Sequence, residues 1–382
     1  MKYNYKISTL HTYSISDFNN YLKTIPQICL LTYGESSLTV DKNIKDTLIK
    51  SLLSDNDHYI SSKGKTSTLN AICEYENNFN KVNYTSENCL ICNGSTEGLF
   101  LVLSTILNEK DEVIVISPNY PLYNDLISYL GGKIITLYSN DDFSINFKVL
   151  KKLLNNKTKA IILNYPNNPT GKILSKAESE MFHQILKNQS CYIILDNTYQ
   201  EISFSKSYSL LEYEDLFKRI IVINTLSKSH QLTGWRLGYI LGDATLIKHC
   251  QALHHHINVC QSEFMLDAME TALKNSTNIL HYRDNCKYVK KYLKKLNLDF
   301  FDSQGGFYLF FSIKKFHVSS FDFCKKLADT YQIGLLPGSL FYHEGFCRLS
   351  YSGDLKEIKY GLKRLKKALK ERFYKNKKTE ES

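Results

Sequence analysis

The sequence predicts an α/β protein with a large domain built on a mostly parallel sheet and a smaller α+β domain. From about residue 88, seven short apolar or β-branched segments alternate with longer helical patterns, and they read CLICN, EVIVIS, KIITLY, KAIILNY, CYIILD, RIIVINT and RLGYILG. Such alternation is typical of a parallel sheet that lies between helices. Beyond residue 275 the order changes, because helical patterns near 281–296, 321–331 and 355–373 are interleaved with the candidate strands GFYLFFSI and FCRLSYS.

The size of the chain favours two domains. It has 382 residues, of which 43% are hydrophobic and 23% charged, so it can bury a large core and is longer than one ordinary domain. We expect residues 46–275 to form the large domain and residues 276–382 the small domain, with residues 1–45 packing against the small one. A wide interface between two domains is a common place for a small-molecule site.

The chain is basic, with a net charge of +10 from 48 Lys and Arg against 38 Asp and Glu. Much of the excess lies between Lys363 and Lys378, where apolar residues at positions 355, 358, 362, 365 and 369 predict an amphipathic helix with its basic side in water. That side could bind nucleic acid or a membrane, but neither aromatic interleaving nor a recognition motif accompanies it, so we expect neither partner. The final KNKKTEES is expected to fray.

Targeting, disulfide and metal signals are weak in this sequence. No run reaches the roughly 18 apolar residues of a membrane span, and the first residues lack the apolar core of a signal peptide, so we expect a cytoplasmic protein. The ten cysteines are scattered, which favours reduced and mostly buried thiols over a disulfide framework. Cys89 and Cys92 form one CxxC pair in a strand-like run, but no second pair completes a zinc site, so we expect no metal.

The segment NTLSKSHQLTGWRLGY carries the first candidate for chemistry. Lys228 follows a predicted strand, lies beside the hydroxyls of Thr225 and Ser227, and precedes Arg236 by eight positions. A lysine among cationic and anion-binding groups has a lowered amine pKa, as a Schiff-base nucleophile requires, and the hydroxyls and Arg236 could hold a phosphate. The same cluster taken alone is also typical of a solvated turn.

A carboxylate closes the strand in the second candidate segment, CYIILDNTYQEISF. Asp196 ends the apolar run, and Tyr199 lies three residues later. An ionised carboxylate at the end of a buried strand is costly without a cationic partner. A protonated pyridine nitrogen would be such a partner, with Tyr199 reaching the ring hydroxyl, whereas a helix cap or turn aspartate is the alternative interpretation of Asp-x-x-Tyr alone.

Two further strands end in loops that could present polar groups. In KAIILNYPNNPTGKIL, two prolines and Gly171 hold Asn168 rigidly. In CLICNGSTEGLFLVLSTIL, Gly94, Ser95 and Thr96 begin an apolar helix, and free backbone amides at a helix start can bind phosphate. A serine or threonine at that position is more commonly a simple cap.

Taken together, these segments resemble the class I/II aminotransferases of fold type I, which depend on pyridoxal phosphate. Nearly the whole chain carries the resemblance, through LTYGES, HYISSKGK, NGSTEG, SPNYPLY, NYPNNPTG, LDNTYQ, TLSKSHQLTGWRLGY, GGFYLF, LLPGSLF and CRLSY. NPTG, and SK followed by GWRLGY, are the most diagnostic, and the last is similar to the aspartate-aminotransferase branch. The resemblance implies a seven-stranded sheet between helices, a smaller α+β domain, and transfer of the amino group of an L-amino acid to a 2-oxo acid.

The resemblance also implies a role for each matched residue. Lys228 would carry pyridoxal 5'-phosphate as a Schiff base and shuttle a proton, while Asp196 would keep the pyridine nitrogen protonated. The ring oxygen would be bound by Asn168 and Tyr199, and Tyr120 would stack on the ring. The phosphate would be held by Ser95, Thr96, Thr225, Ser227 and Arg236.

Substrate and subunit contacts follow from the same resemblance. Arg348 would grip the substrate α-carboxylate with its planar guanidinium, Gly34 would offer its backbone amide, and Asn168 would also contact the substrate. Arg348 and Gly34 belong to the predicted small domain and its N-terminal segment, so substrate binding would draw that domain toward the cofactor. Tyr59 matches a tyrosine that the family donates to the neighbouring subunit's phosphate, which implies a homodimer with shared active sites.

The chain departs from the family pattern at several positions. Asn197 stands where an acidic residue commonly follows the aspartate, and Glu35-Ser36-Ser37 replaces a proline-containing turn. Thr96 stands where the aspartate-aminotransferase branch often has a lysine for a distal carboxylate, so dicarboxylate substrates are in doubt. The three histidines from His254 to His256 lie in a region that forms substrate pockets in relatives, but a solvated or core-packed run is favoured over substrate contact or zinc ligation.

Two other functions compete with transamination. A lyase or cyclase, for example one that cleaves a carbon–sulfur bond, would use the same cofactor. A non-catalytic cofactor-binding module fused to a DNA-binding domain is the other alternative, but the motif matches begin near residue 34, so we expect no such domain. Lys228, Asp196 and Arg348 also favour turnover over simple binding.

Overall fold

A computed structural model of the chain describes residues 14–372 together with residues 4, 6, 7 and 10. The α-helices of this part of the chain are α1 Ile15–Lys23, α2 Lys42–Leu52, α3 Thr66–Asn80, α4 Gly94–Ile106, α5 Leu122–Tyr129, α6 Phe147–Leu153, α7 Lys176–Leu186, α8 Leu226–Ser229, α9 Ala244–Asn258, α10 Glu263–Leu273, α11 Ile279–Lys295, α12 Ser320–Tyr331 and α13 Leu355–Lys370. Its strands are β1 Cys29–Leu30, β2 Cys89–Cys92, β3 Glu112–Ser117, β4 Lys133–Tyr138, β5 Thr158–Asn164, β6 Tyr192–Asp196, β7 Ile220–Thr225, β8 Gly238–Leu241, β9 Tyr308–Ser312, β10 Ile333–Gly334, β11 Leu336–Pro337 and β12 Phe346–Ser350.

The largest sheet has seven strands in the order β2-β8-β7-β6-β5-β3-β4. Its neighbouring strands are parallel except at β8, which runs antiparallel to both β2 and β7. Each of the seven apolar segments singled out in the sequence forms one of these strands. The predicted α/β fold with a mostly parallel seven-stranded sheet is therefore confirmed.

Helices cover both faces of this sheet because the strands are apolar on both sides. One face packs against α4, α5 and α9. The other face packs against α3, α7 and α10. The central strands β6 and β7 are buried almost throughout, as expected for strands covered on two sides. In the parallel register Asn164 pairs with Asp196, and Thr225 ends the next strand, so these polar residues lie side by side at one edge of the sheet.

A second hydrophobic core holds the C-terminal part of the described chain. The antiparallel strands β11, β12 and β9 pack there with α11, α12 and α13. Phe18 and Leu22 of α1 belong to the same core, and β1 pairs in parallel with β10. Ile44 of α2, by contrast, lies in the core of the large sheet. The exact domain boundaries, after residues 45 and 275, stay a prediction.

The C-terminal helix α13 buries the apolar side that the sequence predicts. Ile358, Leu362 and Leu365 have no exposed surface, whereas Lys363 and Lys366 on the other side are exposed. The remainder of the basic segment, including KNKKTEES, lies outside the described residues. Helices α11, α12 and α13 correspond to the three helical patterns that the sequence predicts in the small domain.

The cysteine, metal and membrane predictions concern features spread over the whole chain. All ten cysteines are free thiols, and Cys89 and Cys92 are buried in β2. Among the described residues, no cluster of three or more His, Cys, Asp or Glu side chains could hold a metal ion. Within the same residues, no helix is both long and apolar enough to cross a membrane.

Candidate active site

A cavity of about 220 Å³ opens at the carboxyl ends of the parallel strands, where the large sheet faces the second core. Its lining includes every residue predicted for the site except Tyr59. The members are Gly34, Ser95, Thr96, Tyr120, Asn168, Asp196, Tyr199, Thr225, Ser227, Lys228, Arg236 and Arg348. A larger cavity of about 720 Å³ beside Phe79 contains none of them.

Lys228 reaches this cavity from α8, the single helical turn that follows β7. Thr225 caps that turn by accepting a hydrogen bond from the Ser227 N–H at 3.2 Å. The Lys228 Nζ donates to the backbone carbonyl of Gly34 at 2.6 Å. The pKa of Lys228 is lowered to about 8, mainly by burial; the charge of Glu35 opposes this decrease, and those of Arg236 and Arg348 contribute to it. The low pKa was predicted from neighbouring cations, but burial is its largest cause.

Asp196 lies at the end of β6, where it is 4% exposed. Its Oδ1 accepts the Thr198 hydroxyl at 2.5 Å, and its Oδ2 accepts the Tyr123 hydroxyl at 2.5 Å. Burial raises the pKa of Asp196, while these hydrogen bonds and the charge of Lys228 oppose the increase. No cationic side chain in the described part of the chain forms an ion pair with it, so a ligand with a positively charged N–H group would complete its coordination.

Asn168 and Tyr199 link the two sides of the cavity. The backbone N–H of Asn168 donates to the side chain of Asn164 at 2.9 Å, which holds the loop after β5 against the sheet. Its own Oδ1 accepts a hydrogen bond from Arg348 at 2.9 Å. The hydroxyls of Tyr199 and Tyr308 are 3.1 Å apart. Asn168 and Tyr199 thus contact residues of the second core directly.

Arg348 projects from β12 and is 3% exposed. Its Nη1 binds Asn168, and its Nη2 donates to the carbonyl of Thr32 at 2.8 Å. The guanidinium carbon lies 4.0 Å from the centre of the Tyr308 ring and 4.8 Å from that of Phe341. The buried Nε has no hydrogen-bond partner among the described residues. Within the same residues, no carboxylate forms an ion pair with the guanidinium. A ligand carboxylate would satisfy both deficits.

Donors for an anion converge at the other end of the cavity. Gly94 has φ of +76°, and a Cβ at this position would lie 2.7 Å from Arg236 Nη2, so the turn into α4 requires glycine. Ser95 and Thr96 follow it in the first turn of that helix. The hydroxyls of Thr225 and Ser227 are 2.8 Å apart, and Arg236 donates to the carbonyl of Asn93 at 3.2 Å. Backbone amides, hydroxyls and a guanidinium together suit a phosphate.

Two predicted features lie outside this cavity. Tyr59 is 85% exposed and does not line it. The three consecutive histidines lie in the last turns of α9, where His254 is buried against Glu97 and both His255 and His256 are exposed. None of the three lines the cavity. Tyr120 does line it, and its ring meets that of Tyr123 edge to face at 5.9 Å.

Sequence reasoning missed several residues that shape the site. Tyr123 and Thr198 bind Asp196, and Tyr308 contacts both Tyr199 and Arg348. A signal was present, since Tyr123 lies in SPNYPLY and Tyr308 in GGFYLF, two segments that carried the family resemblance. A tyrosine in a predominantly apolar segment is, however, more commonly a core residue.

The resemblance found in the sequence is confirmed by comparison with known proteins. The family described as aminotransferase class I and II matches residues 27–365. A probable N-acetyl-LL-diaminopimelate aminotransferase of Bacillus subtilis is 30% identical over 95% of this chain and 94% of its own length. A (5-formylfuran-3-yl)methyl phosphate transaminase of Methanocaldococcus jannaschii is 31% identical over 89% of this chain and 90% of its own.

A solved structure agrees with this assignment. The aspartate aminotransferase of Thermotoga maritima superposes with a TM-score of 0.92 at 26% identity, covering 96% of this chain and 100% of its own. The prediction of an aminotransferase is thereby confirmed at the level of the family. The chain belongs to the class I and II aminotransferases, and it is an enzyme of amino-group transfer.

Proposed function

We propose that the chain is a pyridoxal 5'-phosphate-dependent aminotransferase that passes the amino group of an L-amino acid to a 2-oxo acid. The observation that carries the proposal is the convergence of three groups in one cavity. These are an amine of lowered pKa at Lys228, a buried carboxylate without a cation at Asp196 and a buried guanidinium without a carboxylate at Arg348. In the described part of the chain none of the three forms an ion pair, and cofactor or substrate would supply the opposite charge.

The donor set fits the cofactor from end to end. The phosphate would be held by Ser95, Thr96, Thr225, Ser227 and Arg236, which gather at one end of the cavity. Asp196 would bind the protonated ring nitrogen, Asn168 and Tyr199 the ring oxygen, and Tyr120 the ring face. When bound, pyridoxal phosphate withdraws electrons from the substrate carbon that loses its proton and stores the amino group between the two half-reactions.

Lys228 is suited to hold the cofactor and to move a proton. With a pKa of about 8, roughly a quarter of such amines are neutral at pH 7.5, against about 0.1% at the ordinary value. A neutral amine can take a proton from the substrate Cα and pass it to the cofactor carbon. In the cofactor-free chain the Gly34 carbonyl, at 2.6 Å, holds this amine inside the cavity where the cofactor would bind.

Arg348 would orient the substrate. Its guanidinium is fixed by Asn168 and Thr32 and stacked on Tyr308, so little side-chain entropy is lost when a carboxylate binds. The backbone amide of Gly34 would be a second donor to the carboxylate. Because Arg348 and Gly34 belong to elements of the second core while Lys228 belongs to the large sheet, substrate binding would draw the two sides together.

We also infer a two-fold dimer with shared active sites. Tyr59 is 85% exposed although it lies in a segment that matches the family, so it would face the phosphate of a neighbouring subunit. An anionic side chain on the substrate would need a cation from that subunit. The described lining holds only Lys228, Arg236 and Arg348 as cations, and all three have other roles.

Reaction with single amino acids tests the proposal against a lyase. Pure enzyme loaded with pyridoxal phosphate is mixed with one amino acid and no 2-oxo acid. Transfer predicts a stoichiometric shift of the cofactor spectrum to the pyridoxamine form and release of one equivalent of 2-oxo acid. Continuous release of pyruvate or ammonia would contradict transfer, and full activity in a Lys228→Ala variant would contradict the assignment of Lys228. A screen of donors should include aspartate and N-acetyl-LL-diaminopimelate, which the names of relatives suggest.

A further inference from the structure

A buried pair, Glu97 and His254, lies directly beneath the phosphate end of the cavity. His254 is on α9 and has no exposed surface, and Glu97 is on the first turn of α4 with a side chain 12% exposed. The His254 Nδ1 lies 3.2 Å from Glu97 Oε1. Neither residue lines the cavity.

The pair connects to the anion donors through the turn before α4. The second oxygen of Glu97 accepts the backbone N–H of Asn93, and the carbonyl of Asn93 accepts Arg236 Nη2 at 3.2 Å. The carboxylate therefore fixes the peptide units on which both Arg236 and the amides of Ser95 and Thr96 depend. Space around this turn is tight, since a Cβ at Gly238 would lie 2.7 Å from the backbone of Gly94.

The charge at Glu97 makes its position consequential. Burial alone would raise the pKa of Glu97, but hydrogen bonds from His254 and Asn93 and the charges of His254 and Arg236 together lower it. An ionised carboxylate in this turn would repel a phosphate unless it were held away and compensated. The His254 Nε2 is buried with no partner among the described residues, so the hydrogen bond to Glu97 is the one that anchors its ring.

Resting on the proposed function, we infer that Glu97 and His254 are positioning residues that set the affinity of the enzyme for the cofactor phosphate. His254 holds the carboxylate of Glu97, Glu97 holds the Asn93 turn, and the turn holds Arg236 and the first amides of α4 in place. The role of the buried histidine in the HHH run is therefore structural support of the phosphate site, not contact with the substrate.

The prediction separates phosphate binding from ring binding. Pyridoxal lacks the phosphate but keeps the ring and the aldehyde, so loss of the pair should weaken pyridoxal 5'-phosphate far more than pyridoxal. Losing one buried hydrogen bond to a charged group corresponds to roughly a tenfold loss of affinity for the phosphorylated ligand. For pyridoxal, the change should stay within about twofold.

Two substitutions break the link from opposite sides, and a third keeps it. His254→Leu and Glu97→Ala each remove the hydrogen bond between the two side chains. If one variant does not fold, the other still provides the test. His254→Asn keeps a donor N–H near the position of Nδ1 and should restore the affinity ratio. His183→Leu is the control, because His183 on α7 also forms a histidine–carboxylate pair, with Asp215 at 2.9 Å. Neither residue lines the cavity.

Both affinities are measured by titrating each ligand into cofactor-free protein. The fluorescence of Trp235, the single tryptophan of the chain, reports binding beside Arg236. A selective loss in His254→Leu and Glu97→Ala, with recovery in His254→Asn and no change in His183→Leu, supports the inference. Equal losses for the two ligands, or no loss, would overturn it. Wild-type protein that binds pyridoxal phosphate no better than pyridoxal would instead refute the proposed function itself.

Discussion

Removing the hydroxyl of Tyr123 should impair catalysis without disturbing the fold. This hydroxyl donates to Asp196 Oδ2 at 2.5 Å, while Thr198 serves only the other oxygen. Tyr123 is 2% exposed, and a phenylalanine fills almost the same volume, so the substitution Tyr123→Phe leaves no large cavity. What changes is a hydrogen bond to a buried carboxylate, which is worth about 1.5–3 kcal/mol.

That energy sets the size of the expected effect. If the Asp196 carboxylate loses this hydrogen-bond energy in the transition state, kcat falls by roughly 10- to 150-fold. The lower figure is expected, because Thr198 still binds Oδ1. The pKa of Asp196, already raised by burial, should rise further. Since the ionised carboxylate is the active form, the acidic limb of the kcat profile should move to higher pH.

Single-turnover kinetics of one amino donor across a pH series provides the measurement. Tyr21→Phe is the control, since Tyr21 donates to Asp329 of α12 at the protein surface and does not line the cavity. The control should match wild type in rate and pH profile. An unchanged rate and acidic limb in Tyr123→Phe would refute the idea that this hydroxyl maintains the charge of Asp196.

Three further substitutions test the other groups. Arg348→Lys replaces a planar guanidinium, bound to Thr32 and Asn168, by a point charge. The value of kcat/KM should therefore fall about 100-fold for every amino donor, whatever its side chain. A loss confined to one donor would contradict a shared carboxylate site. Lys228→Met should stabilise the cofactor-free protein by up to about 3 kcal/mol at pH 7, because at that pH the buried Lys228 amine of the wild type is mostly charged and destabilises the fold. Urea unfolding should show this advantage shrinking as pH rises from about 8 to about 10.5, where the unfolded lysine also loses its proton, and an advantage independent of pH would argue against it. Thr96→Lys should raise kcat/KM for aspartate relative to alanine by roughly tenfold by supplying a cation for the distal carboxylate, and an unchanged ratio would place that subsite elsewhere.

Local sequence patterns were sufficient for the large sheet. Apolar runs such as YIILD and IIVINT are strands because they are buried on both faces, and polar residues at their ends mark the carboxyl edge. Asp196 and Lys228 could therefore be placed near that edge from the chain alone. The contact between Arg348 and Asn168 could not, because 180 positions separate them and no periodicity encodes their pairing. That placement rested on the family resemblance.

Supporting residues were harder to predict than the residues they support. Tyr123 lies in a helix whose neighbours are core residues, and nothing in its spacing distinguishes a hydroxyl that binds Asp196 from one that reaches water. Glu97 occupies a helix start, where acidic residues are common for reasons of the helix dipole alone. Their partners lie on other elements, so only the packed structure reveals their roles.

The distribution of charge around the cavity explains why these supports are needed. Lys228 is partly buried and Asp196 and Arg348 are buried, yet none of the three forms an ion pair with another described residue. Burial shifts each of them toward its neutral form, and hydrogen bonds from Tyr123 and Thr198 to Asp196 only partly offset the cost. Such a site destabilises the free protein and gains its stability from charges that arrive with ligands. The stabilising partners are then the same groups on which the chemistry acts, so affinity and reactivity have a common origin in this cavity.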